Sequence, residues 1–112
     1  MSKRIERVNE LIKREISQII LRDIEFPNNT LVTITRVDST PNLIESNVFI
    51  SVMPEQKTEQ ILSILSRRIF DIQQKINRDL NMRPIPKIIF KKERNTSEAD
   101  KIEKILEEIK NQ

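Results

Sequence analysis

Between Glu59 and Phe90 the chain lays out a periodic stretch that leaves few choices of fold. Ile61, Leu65, Ile69, Ile72, Ile76 and Leu80 recur at steps of four, four, three, four and four. That spacing places them on one face of a helix of 3.6 residues per turn. Asn81-Met82-Arg83-Pro84 then reads as a turn, and Ile85 to Phe90 as a short buried strand. One helix face is built for burial, and a buried helix face needs a sheet or another helix to cover it.

The preceding residues supply those partners. Lys3 to Leu21 reads as a first helix, with Ile5, Val8, Leu11, Ile12, Ile16, Ile19 and Ile20 at helical spacing and Ser2 as its N-cap. Pro27-Asn28-Asn29 is a turn cluster. Leu31 to Val37 is rich in β-branched residues and reads as a strand. Ser39-Thr40-Pro41-Asn42 is turn chemistry, and Leu43 to Met53 a second strand, with Ile44, Val48, Ile50 and Val52 on its buried side. The short connection predicts a hairpin. Pro54 ends the second strand, and Thr58 is placed to cap the long helix. After the third strand Asn95-Thr96-Ser97 breaks the chain, and Ile102, Ile105, Leu106 and Ile109 give a last, net acidic helix. The order helix, strand, strand, helix, strand, helix predicts an α+β fold: a three-stranded sheet with helices packed on one face. At 112 residues the expectation is one domain over 1–112, with a core over 1–94 and a helical extension over 95–112.

Composition excludes more than it suggests. Cysteine and histidine are absent, which removes disulfides, thiol nucleophiles, imidazole bases and thiolate or imidazole zinc sites. Glycine is absent too, which removes phosphate loops that need close backbone approach. Asp and Glu form no tight cluster along the sequence. The expectation is therefore a non-enzymatic protein with no cofactor and no metal. No apolar run is long enough to span a bilayer, so no membrane partner is expected. Met1-Ser2-Lys3-Arg4 opens into alternating charge rather than a leader-like apolar stretch. A cytoplasmic location follows as the expectation.

The net charge of +3 is unevenly spread. From Ser63 to Arg94 there are nine basic residues against three acidic, a local balance of +6; the rest carries eleven against fourteen, or −3. Such asymmetry is the footprint of a polyanion binder. The candidate RNA-binding residues are Arg67, Arg68, Lys75, Arg78, Arg83, Lys87, Lys91 and Lys92, with Arg4, Arg7 and Arg14 on the first helix as a second group. Such side chains neutralise phosphates and release counterions, which positions a protein without reading sequence. The same residues also fit a plainer description. Lys75 lies four residues from both Asp71 and Asp79 and can simply pair. Arg83 can offset the dipole at a helix C-terminus. Phe49 and Phe90 are read as core rather than as stacking platforms. A protein-interaction module using a sheet edge or the acidic last helix is the alternative to RNA binding.

Several segments together resemble one family. Arg4-Ile5-Glu6-Arg7-Val8 with Ile12 and Glu15-Ile16 is similar to the opening motif of ribosome-binding factor A. Thr33-Ile34-Thr35-Arg36-Val37 is similar to its first strand. Ser39-Thr40-Pro41-Asn42-Leu43 through Asn47-Val48-Phe49-Ile50-Ser51 resembles its turn and second strand, and Arg83-Pro84-Ile85-Pro86-Lys87-Ile88-Ile89-Phe90 the lead into its third. The resemblance covers nearly the whole chain. It implies a type II KH-like fold and a non-enzymatic assembly factor that binds 16S rRNA in the 30S subunit. That factor would assist late rRNA processing on free rather than translating subunits, act as a monomer, and often be linked to growth in the cold. One departure stands out. The family marks a kink in its long helix with a small residue, any residue, then glycine, whereas this chain has Ser66-Arg67-Arg68-Ile69-Phe70. Either Ser66 hosts a gentler bend or the helix runs straight.

The assignment of the buried face predicts that Leu65→Asp abolishes a cooperative thermal transition, because it buries an unpaired carboxylate. A wild-type-like melt would place the other helix face inward.

Overall fold

The structure, a computed structural model, describes residues 3–94. The expected last helix and the Ser2 cap lie outside them. Helix α1 spans Lys3–Asp23, strand β1 Leu31–Ser39 and strand β2 Glu45–Met53. A 3-10 turn at Glu55–Lys57 leads into α2, Thr58–Arg67; α3 follows at Ile69–Asp79, and strand β3 at Lys87–Lys92. The sheet has the order β1-β2-β3, with β1 antiparallel and β3 parallel to β2. The expected hairpin is therefore present. The helical segment between β2 and β3 is the crossover that a parallel pair requires.

All three helices pack on one side of this sheet. Along β2, Ser46, Val48, Ile50 and Val52 are buried, while the alternate positions are half-buried or exposed. The period-2 alternation of a strand thus separates a helix-covered face from an open one. Ile44, expected on the buried side, lies outside the strand and is exposed. Ser46 continues the inner row in its place. Its hydroxyl meets that of Ser39 at 2.6 Å, and Ser39 Oγ donates to Asn9 Oδ1 at 2.6 Å. A polar position is thereby satisfied between the sheet and α1.

The long helix of the sequence reading is interrupted. Arg68 stands between α2 and α3 with φ −99° and ψ 5°. Its N–H is shared between the carbonyls of Ile64 and Leu65, at 3.2 Å each, and its own carbonyl accepts from Ile72 N–H at 3.0 Å. The break thus falls two residues beyond Ser66. It needs no glycine, because the bridge region with negative φ is open to any L-residue. The apolar stripe survives it: Ile61, Leu65, Ile72 and Ile76 are fully buried, and only Ile69, beside the break, is half-buried.

Two other local readings change. Thr58 is the first residue of α2 rather than its cap, and its hydroxyl donates to Glu55 O at 2.7 Å, holding the 3-10 turn. Ser39 ends β1, so the turn runs from Thr40 to Ile44. Thr40 N–H donates to Glu45 O and Leu43 N–H to Thr40 O, both at 2.9 Å. Asn29 and Leu43 take positive φ, 61° and 58°. Asparagine tolerates that region, whereas leucine adopts it only where its surroundings enforce it. Leu43 is buried in the core, and that burial is the enforcing force.

One side chain fixes the start of β3. Gln73 Oε1 accepts from the N–H of Ile88 at 2.9 Å, and its Nε2 donates to Pro86 O at 3.1 Å. The edge-strand N–H that faces away from β2 is thus satisfied by α3 rather than left open. Gln73→Leu is expected to destabilise the domain by ~1–3 kcal/mol, the cost of an orphaned buried donor. A lowered urea midpoint at constant slope would register this. The exposed neighbour variant Gln74→Leu should stay within ~0.5 kcal/mol of wild type.

Candidate nucleic-acid interface

The candidate cations come from two elements with opposite demands. On α2 and α3 the outward face carries those that the inward stripe excludes. On β3 the strand alternation deals them to both sides of the sheet. Ile88 is buried against the helices, so Lys87, Ile89 and Lys91 point to the open face and Lys92 to the helix side. The charge-rich segment is therefore split into two surfaces, one on each side of the sheet.

Ion pairing separates the candidates further. Lys75 Nζ lies 2.9 Å from Asp23 on α1 and 3.2 Å from Asp71 on α3, and its side chain is only 23% exposed. It clamps α1 to α3. The Asp71 half of the pairing anticipated four residues away is present; the Asp79 half is not, because Asp79 pairs with Arg78 at 2.8 Å. Arg68, at the helix break, reaches Asp71 at 3.1 Å. Lys92 reaches Glu55 at 3.2 Å. Arg67 makes no ion pair among the described residues; its Nε donates to Ser63 O at 3.4 Å. Arg7, Arg14, Arg83, Lys87 and Lys91 are exposed and likewise show no carboxylate partner among the described residues. Arg4 is exposed on the first turn of α1.

The open sheet face holds a cluster that periodicity could not reveal. The β1–β2 register shifts between Ile34 and Arg36. Strict alternation would put Arg36 on the side of Val32 and Ile34. The bulge turns it to the open face, where its guanidinium lies 3.8 Å from the centroid of the Phe49 ring. Phe49 is therefore half-buried on the open face and not in the core, whereas Phe90 packs against the core as expected. Glu93 closes the cluster. It accepts from the Thr35 hydroxyl and from Arg36 Nε at 3.0 Å. The Thr35 hydrogen bond, then Arg36, holds its carboxyl below the usual range. Lys91 lies opposite Phe49 in the β2–β3 register.

Among the described residues, no helix is long and apolar enough to cross a membrane. What the described residues offer is exposed cations on both sides of the sheet, a chemistry that can meet phosphates.

These features define a KH-like α+β domain of the second type. The ribosome-binding factor A family model matches residues 4–106. Ribosome-binding factor A of Desulforamulus reducens is 38% identical over 113 residues, covering 100% of this chain and 94% of that protein. The Akkermansia muciniphila protein of the same name is 35% identical, covering 97% and 86%. This chain belongs to the ribosome-binding factor A family. Among solved structures, the crystal structure of ribosome-binding factor A from Thermus thermophilus superposes with a TM-score of 0.69 at 22% identity, over 79% of this chain and 93% of that one. Thermus thermophilus coordinates fitted into a cryo-EM map of a complex of that factor with 30S give 0.67 at 23% identity, over the same shares. At that identity the likeness concerns the fold.

The clamp sets a pH dependence. Asp23 is held below its ordinary pKa mainly by the Lys75 hydrogen bond, and Asp71 by Arg68 and then Lys75. A carboxylate lowered on folding contributes stability that is complete above its unfolded pKa of about 4 and is lost as pH falls through the folded value. The thermal midpoint should therefore be flat from about pH 5 to about pH 9 and fall below about pH 4; Lys75, raised by the same two carboxylates, gives up its share only at alkaline pH. Asp23→Asn with Asp71→Asn should flatten that fall, as a pH series of melts would record.

Proposed function

We propose that this protein binds the 30S ribosomal subunit through 16S rRNA and assists late maturation of that subunit without catalysing a reaction. The observation that carries the reading is membership of the ribosome-binding factor A family across nearly the whole chain. The relatives' shared name and the 30S complex of the Thermus protein support it. The protein acts in the cytoplasm as a monomer, on free subunits and not on translating ribosomes. It does so as one RNA-binding domain.

Contact is made by cations that have no carboxylate partner among the described residues. Arg67 and Arg83 serve from the helical side and its following loop, and Lys87 and Lys91 from the open sheet face. Arg7 and Arg14 add charge along α1. Each exchanges bound counterions for a phosphate, so affinity falls steeply with salt. Lys75, held by two carboxylates, serves the fold first. Arg68, Arg78 and Lys92 contribute only by exchanging a carboxylate for a phosphate. In exposed ion pairs that exchange has little cost, because the pair itself contributes little.

Charge reversal of Arg67, Arg83, Lys87 and Lys91 to glutamate is expected to remove the protein from the free 30S peak of a sucrose gradient while leaving its melt unchanged. Neutralising any one of them should lower the slope of log affinity against log salt by about one. Unchanged co-sedimentation, or binding that does not respond to salt, would instead indicate an apolar protein interface.

A further inference from the structure

The inward stripe of α2 and α3 has an outward counterpart. Ser63, Arg67, Phe70, Gln74 and Arg78 recur at steps of four, three, four and four, and all are exposed. Phe70 is 73% exposed. The other three phenylalanines are half-buried: Phe26 and Phe90 against the core, Phe49 beneath Arg36. The Phe70 ring thus does nothing for the core, and a single exposed apolar side chain is by itself unremarkable. Its neighbours make it informative. Arg67, three residues before it across the helix break, has no carboxylate partner among the described residues. Gln74, four residues after it, makes no hydrogen bond among the described residues. Arg78 adds an exposed guanidinium one turn further on, tied only to its chain neighbour Asp79.

An open aromatic face flanked by guanidinium groups and a spare amide has the parts that hold an unstacked nucleotide. The ring stacks the base, the cations meet the adjoining phosphates, and the amide reaches a base edge. A continuous duplex keeps its bases stacked on one another and offers the ring nothing. We propose that Phe70 is a stacking platform for one unpaired RNA nucleotide, with Arg67 and Arg78 on the flanking phosphates and Gln74 on the base edge. The inference rests on the RNA-binding reading above and narrows its target to a single-stranded or bulged segment.

The test uses the full chain, a short unstructured oligoribonucleotide carrying one 2-aminopurine, and a blunt-ended, fully paired RNA duplex of the same length. Phe70→Leu changes no charge and sits outside the core, so its melt should match wild type. It is expected to weaken binding of the oligonucleotide by about five- to a hundred-fold and to abolish the stacking quench of 2-aminopurine. Phe70→Tyr should retain both, and duplex affinity should be unchanged in either variant. Equal oligonucleotide binding by Phe70→Leu and wild type overturns the proposal. So does an equal loss on the duplex. So does a loss seen with intact 30S subunits but not with protein-free 16S rRNA, which would assign the ring to a ribosomal protein. Each of those outcomes leaves 30S co-sedimentation standing, whereas failure of the wild-type chain to co-sediment ends both readings.

Discussion

Aliphatic side chains from all three helices meet on the inner face of β2. Ile12 and Ile16 come from α1, Ile61 and Leu65 from α2, Ile72 and Ile76 from α3, against Val48 and Ile50 of the strand, and all are completely buried. Each contributes ~1.5–3 kcal/mol on burial, as an upper estimate. Because β2 is the middle strand, the same residues hold the hairpin partner on one side and the crossover partner on the other. The helix break is compatible with this core for a geometric reason. Leu65 and Ile72 are seven residues apart, about two helical turns, so a disturbance placed between them leaves both on the inner face.

The same packing decides which charges are available to a partner. Bringing α3 beside α1 places Lys75 between Asp23 and Asp71, and there it is more useful as a clamp than as an anion ligand. Arg68 and Asp71 extend the clamp to the helix break. The cations left without a carboxylate partner among the described residues include Arg67 at the end of α2, Arg83 in the loop, and Lys87 and Lys91 on the open face. The charge density read along the sequence is thus divided by the fold into a structural share and a share directed to solvent.

Much of this was legible in the residues. The four- and three-residue steps of Ile61 to Leu80 located the buried face correctly, and the β-branched runs located all three strands to within a few residues. The interruption at Arg68 was not placed, because nothing in Ser66-Arg67-Arg68 distinguishes a bridge-region residue with negative φ from a helical one. The bulge at Thr35 was also invisible. Alternation carried through it puts Arg36 on the wrong side and hides the contact with Phe49. Gln73 and Gln74 are chemically identical neighbours in the sequence, and only the return of β3 beside α3 gives Gln73 a backbone to hold. Among the candidate cations, pairing across three or four residues was foreseeable, as for Lys75 with Asp71. Pairing across the fold, as with Asp23 or between Lys92 and Glu55, depends on tertiary approach and leaves no local trace.

The parallel joining of β3 to β2 has a consequence for how the molecule is made. Chains are synthesised from the N-terminus, and early elements organise while later ones are still absent. The β1–β2 hairpin can close as soon as Met53 is available, yet the far side of β2 has no partner until the whole crossover and Lys87–Lys92 have been added. During that interval the nascent chain exposes a row of unpaired amides and carbonyls beside Val48 and Ile50, the kind of edge on which chains aggregate. Once β3 has docked, Gln73 caps its outer rim.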